Sequence, residues 1–181
     1  MNQAEFKAAL ATGRKDFRGV DLHGVDLSGM DLPGVDLEGA DLSGANLQRA
    51  CLEEANLSRA NLEKADLSEA SLFLADIAGA NLLYACLRRA CAREADFSRT
   101  VLIQADLYGA DLWEADFRGA DLHGASLRKS NLQGANLQRS YLVEANFQEA
   151  DLRGAYFRHA SLSGADFRGA NLDGTILREL I

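Results

Sequence analysis

Every fifth residue from Phe17 to Leu177 is apolar, a run of 33 positions kept without a slip. Twenty-five of them are Leu and six are Phe (Phe17, Phe97, Phe117, Phe147, Phe157 and Phe167), with Ile77 and Ala92 completing the set. Two residues earlier the side chain is almost always small, mostly Ala, with Thr100, Ser130, Ser140 and Thr175 as variants. Val20, Val25, Met30 and Val35 hold that place near the start. Asp or Asn stands between the small and the large residue in 23 of the 33 repeats.

This period matches neither an α-helix, which repeats every ~3.6 residues, nor a long flat strand, which repeats every ~2. Within one repeat the small residue and the Leu stand two apart. In a short extended segment they point the same way, and the Asp or Asn between them points out. The two residues that remain must turn the chain, and they are rich in Gly, as in Asp21-Leu22-His23-Gly24 and Asp41-Leu42-Ser43-Gly44. Segments and turns of one geometry wind a tube lined by Leu and Phe, with small residues where the walls crowd at the corners. Stacked coils bury their faces only against neighbours, so both ends need covers. Residues 1–13 read as the N-terminal cover: Phe6, Ala9 and Leu10 share one helical face, and Gly13 can end the helix. At the other end Ile176, Leu177, Leu180 and Ile181 concentrate aliphatic surface on the final turn.

Runs such as Ala40-Asp41-Leu42-Ser43-Gly44, Ala45-Asn46-Leu47-Gln48-Arg49 and Ala165-Asp166-Phe167-Arg168-Gly169 are similar to the A(D/N)LXX motif of the pentapeptide-repeat family. The resemblance covers about residues 15–179. It implies an all-β fold, a right-handed quadrilateral parallel β-helix (solenoid) with four repeats per coil. About eight coils are expected, making a rod ~40 Å long at an inter-strand spacing of ~4.8 Å. The domain organisation is then a short helical cap over 1–14, the β-helix over 15–179 and a C-terminal end at 180–181. Known members resemble this chain in pairing through their C-terminal ends. That makes Ile176, Leu177, Leu180 and Ile181 a candidate homodimer contact, beside the plainer role of a self-packed cap.

Charge narrows the function. Lys and Arg total 19 against 27 Asp and Glu, a net charge of -8 shared between both halves of the chain. Direct binding to a nucleic-acid backbone needs clustered cations and is not expected. The first residues lack the apolar core of a secretory peptide, and no run suits a bilayer span. With an odd count of three cysteines, a reduced cytoplasmic setting is the expectation.

With four repeats per coil, residues twenty apart stack. Phe17, Phe97, Phe117 and Phe157 then share one interior column, and Phe147 and Phe167 another. Ala92 stands between Leu72 and Leu112, where space is expected unless Phe97 fills it. Outside, Asp16, Asp36, Asp76, Asp96 and Asp116 fall in one column with Asn56 and Asn136 in its gaps. Two readings are open there: consensus residues bonding the local backbone, or a functional anionic strip. A second region breaks the polar rule. Val101 and Tyr141 replace Asp or Asn, Leu83, Ile103 and Val143 stack beside them, and Tyr84 adjoins Leu83. Around the tube lie Phe73, Leu74, Tyr108 and Trp113. Solvent-facing apolar residues clustered in mid-rod read either as a contact surface or as scattered exposure.

No phosphate-binding Gly loop, nucleophile elbow or metal-binding His pair is present. His23 and His123 are 100 residues apart, and a direct Cys51–Cys91 disulfide would have to span two coils, ~10 Å. No enzyme activity, metal or cofactor is expected. The leading expectation is a protein-interaction or scaffolding module that uses flat, rigid faces, its anchor the apolar set Leu83, Tyr84, Val101, Ile103, Tyr141, Val143 and Trp113. The family resemblance implies an alternative: some members imitate a B-DNA rod and bind DNA gyrase, as quinolone-resistance proteins do. Rows of arginine (Arg118, Arg158, Arg178 and Arg88, Arg128, Arg168) dilute the charge that such mimicry needs. A third expectation is a regulatory partner in a bacterium rich in such repeats.

Overall fold

The computed structural model describes residues 1–176. Each Asp/Asn-position residue forms a parallel bridge with the residue twenty positions on, from Asp16 with Asp36 through to Tyr156 with Ile176. Twenty residues, four pentapeptides, therefore make one coil, and the coils stack as a right-handed β-helix. The extended part of each repeat is short: one bridging residue, then a turn.

The backbone hydrogen bonds explain the five-residue unit, because each amide in it has its own destination. In the first repeat Phe17 N–H donates to the Asp36 carbonyl of the next coil at 2.7 Å, and Gly19 N–H to Glu38 at 2.8 Å. Asp36 N–H donates back to Lys15 at 2.9 Å, and Val20 N–H closes the turn onto Phe17 at 3.3 Å. One amide is left over, that of the first turn residue, Arg18, and the Asp16 carboxylate takes it at 3.2 Å. This pattern repeats along the solenoid, with Ser43 on Asp41, Ser98 on Asp96 and Arg118 on Asp116 as further cases. Asp31 lacks the bond because residue 33 is Pro, which has no N–H to give.

The second turn residue has positive φ in every repeat from Gly19 to Gly174. Seventeen of these positions are not glycine, among them Leu74 at φ 56° and Tyr84 at φ 58°. The left-handed region costs a side chain about 1–2 kcal/mol. Inter-coil bonds at the same residue, such as Tyr84 N–H to the Ile103 carbonyl at 3.1 Å, hold it there.

Inside, the Leu, Phe and Ala columns are buried from Phe17 to Phe157. Phe97 stacks on Phe117 with centroids 4.9 Å apart, and Phe147 on Phe167 at 5.0 Å. Thr100, Ser130 and Ser140 are buried at small-residue positions, and each hydroxyl donates to a carbonyl three residues back, at 2.6–2.7 Å. The hydroxyls are therefore satisfied without disturbing the walls.

Helix α1 (Gln3–Ala11) lies against the first coil. Asn2 caps it by a reciprocal bond with Glu5, and Gly13 follows its end at φ 85°. Phe6 is buried with its ring 4.4 Å from that of Phe17, while Ala9 and Leu10 pack on the core edge. No helix among the described residues is long and apolar enough to cross a membrane.

Candidate functional site

The turns form four edges, each a column of two residues per coil. The edge that begins at His23 and Gly24 runs through Glu63-Lys64 to Leu83-Tyr84, Ile103-Gln104, His123-Gly124 and Val143-Glu144. Beside it stands the bridge column Asn81, Val101, Asp121 and Tyr141. Tyr84 is 54% exposed, Val101 36% and Tyr141 58%, with Leu83, Ile103 and Val143 half-buried between them. Leu83, Tyr84, Val101, Ile103, Tyr141 and Val143 thus share one edge and its flanking face. His123 and Asp121 interrupt them in the coil between.

Trp113 does not join this group. It lies half a coil away on the edge of Phe73 and Leu74, and the Arg93 guanidinium covers its ring at 4.9 Å. Tyr108 is likewise covered, by Arg88 at 4.7 Å. Of the candidate C-terminal contact, Ile176 is 43% exposed. Leu177, Leu180 and Ile181 lie outside the described residues.

The apolar edge carries a cost that sequence reasoning missed. Where Asp or Asn is replaced by Val101 and Tyr141, the leftover amides of Ile103 and Val143 have no side-chain acceptor among the described residues, whereas Asn81 still accepts from Leu83 at 3.2 Å. A hydrogen bond of this kind is worth about 0.5–1.5 kcal/mol. The signal was present in the sequence as Val and Tyr at an Asp/Asn position, but its meaning needed the amide bookkeeping.

The column of Asp16, Asp36, Asp76, Asp96 and Asp116 is a real ladder, continued by Asn56 and Asn136. One oxygen of each carboxylate is engaged by the backbone two residues on. Arg18 also pairs with Asp16 at 2.7 Å and with Asp36 at 3.5 Å, and Arg118 clamps Asp116 at 2.5 Å. The Arg18 hydrogen bond holds the Asp16 carboxyl down to about 2. Elsewhere Arg153 and Arg168 lower Asp151 and Asp166 in the same way. The column is anionic but interrupted by cations at both ends.

Cys51, Cys86 and Cys91 are free and half-buried, with the Cys86 Sγ 3.1 Å from the Ser68 hydroxyl. Among the described residues no three His, Cys, Asp or Glu side chains gather to hold a metal ion.

The profile of the pentapeptide repeats matches in eight copies, over residues 21–59, 55–91, 87–119, 95–134, 105–142 and 140–178. The chain belongs to the pentapeptide-repeat family. No curated protein sequence matches it. Among solved structures this pentapeptide-repeat protein is similar to full-length QnrB1, a plasmid-mediated fluoroquinolone resistance protein. The identity is 20% over 91% of this chain and 92% of that one, with a TM-score of 0.66. At that identity the likeness is one of fold. HetL, involved in heterocyst differentiation regulation in the cyanobacterium Nostoc, is 31% identical over 98% of each chain with a TM-score of 0.29. A pentapeptide repeat protein of the Arabidopsis thaliana thylakoid lumen is 32% identical over 55% of this chain and 63% of its own, with a TM-score of 0.36.

Proposed function

We propose that this pentapeptide-repeat protein is a non-enzymatic interaction module that docks another protein on the edge of Leu83, Tyr84, Val101, Ile103, Tyr141 and Val143. One observation carries the reading. Val101 and Tyr141 each give up the turn hydrogen bond that Asp or Asn supplies elsewhere, and both place apolar surface in solvent. Among the described residues the turn bond is also missing at Ser71, Cys86, Cys91 and Ser126; what supports a contact here is that the loss coincides with exposed apolar side chains in two coils of the same edge. The rigid backbone around it offers contact area without a large ordering cost. Trp113 and Tyr108, already covered by arginines, are left out of this surface. Partner capture on immobilised protein, with Ile103→Glu as the comparison, tests it. Capture by the wild type and its loss in the variant are expected; equal capture by both contradicts the reading.

The acidic column and the fold shared with QnrB1 favour a second reading, a DNA mimic that occupies DNA gyrase. The carboxylates' engagement with the backbone and with Arg18 and Arg118 weighs against it. A titration of gyrase supercoiling, with and without a fluoroquinolone, separates the two. We expect no inhibition and no drug protection at micromolar protein. Inhibition that disappears in Asp76→Lys/Asp96→Lys/Asp116→Lys would promote mimicry. Pairing of two chains through the C-terminal end, and a cytoplasmic setting, belong to this proposal too, and sedimentation analysis tests the former.

A further inference from the structure

We propose that the groove between Arg99 and Arg139 binds a compact, multivalent phosphate anion, either a free oligophosphate or the phosphate chain of a nucleotide. Positions 59, 79, 99, 119 and 139 occupy the same turn site in successive coils and read Arg, Gly, Arg, Gly, Arg. Each Gly contributes no side chain of its own, and the stem of the Arg one coil earlier leans across it: a Cβ on Gly119 would lie 3.8 Å from the Arg99 Cγ. Two open grooves result along this edge, and they differ in charge.

The groove between Arg59 and Arg99, about 320 Å³, is also lined by Glu38 and Asp76. There Glu38 pairs with Arg59 at 3.2 Å. The next, about 400 Å³, is lined by Ser98, Arg99, Arg118, Gly119, Gln138 and Arg139, with no carboxylate. Asp116 clamps Arg118 from outside that lining. Arg99 and Arg139 have no ion pair or side-chain hydrogen bond among the described residues.

At ~4.8 Å per coil, Arg99 and Arg139 leave the backbone ~10 Å apart with Arg118 between them. Planar guanidinium forks on both sides of such a gap suit an anion that offers several oxygens, better than a lone carboxylate. The Ser98 hydroxyl and Gln138 amide add neutral donors. With Arg118 paired to Asp116, the charges facing the groove that are unpaired among the described residues are those of Arg99 and Arg139, which repel one another, and a bound polyanion would relieve that repulsion. This site lies on a different edge from the apolar surface and does not depend on it.

Isothermal titration with inorganic tripolyphosphate and with ATP, without divalent cations, tests it on the wild type, on Arg99→Gln/Arg139→Gln and on Arg59→Gln. Melting curves verify that each variant is folded. One-site binding to the wild type is expected, weakened roughly tenfold or more in the double variant and little changed in Arg59→Gln. Similar affinity for both probes assigns the site to the phosphate chain; binding of ATP alone assigns it to a nucleotide. No binding of either probe to the wild type, or equal weakening by Arg59→Gln, overturns the proposal.

Discussion

At the residue scale the Asp/Asn consensus is explained by one amide. Four of the five backbone N–H groups in a repeat find carbonyls, and the fifth needs a side-chain oxygen two residues back. The sequence placed these residues outward and left open whether they bond locally or form a functional strip. In the structure these side chains, Asp31 excepted, each accept the amide two residues on. Two of these carboxyls are stronger acids in the folded chain, Asp16 through the Arg18 side chain and then its amide, and Asp41 through the Ser43 hydroxyl and then its amide. A carboxyl whose pKa is lower folded than unfolded adds stability that is complete above its unfolded value near 3.8 and is lost as the pH falls through its folded value. The melting temperature should therefore hold down to about pH 5 and fall between about pH 4 and 2. A flat profile over that window would contradict the role given to these carboxyls.

At the scale of the coil, periodicity made the core almost fully legible. The Phe ladders fall where spacing by twenty puts them, and the columns of Leu and Ala are buried as expected. The surface was less legible, because column membership says which residues are neighbours but not what covers them. Trp113 is the instructive case: its exposed position suggested an anchor, yet Arg93 lies over its ring. Likewise the Gly-rich turns pointed to a left-handed residue, but its occupation by Leu74 and Tyr84 rests on inter-coil bonds that no local signal reports. Ala92 is the odd member of its interior column and is fully buried. Large-to-small changes in a core typically cost about 2–5 kcal/mol. Ala92→Leu should accordingly be tolerated or stabilising, as read by thermal melts, and a large fall in melting temperature would show that Phe97 already occupies the space.

At the scale of the whole molecule, a stack of near-identical coils makes departures from the repeat informative. The rod's stability is nearly a sum of equal parts, so a position that gives up stability stands out against its neighbours. Ser71, Cys86, Cys91 and Ser126 also leave the turn amide without a side-chain acceptor among the described residues; Val101 and Tyr141 differ in placing apolar surface in solvent as well, on the edge that also carries Leu83, Tyr84, Ile103 and Val143. On the proposed function, these two coils exchanged a turn hydrogen bond for a contact surface. The most direct measurement is partner capture on immobilised Val101→Asn/Tyr141→Asn beside the wild type, once melting curves have been recorded for both. Restoring the consensus should raise stability by about 1 kcal/mol net of the lost side-chain packing. The variant is expected to melt higher and to capture nothing. A variant that melts lower, or that still captures the partner, would contradict it.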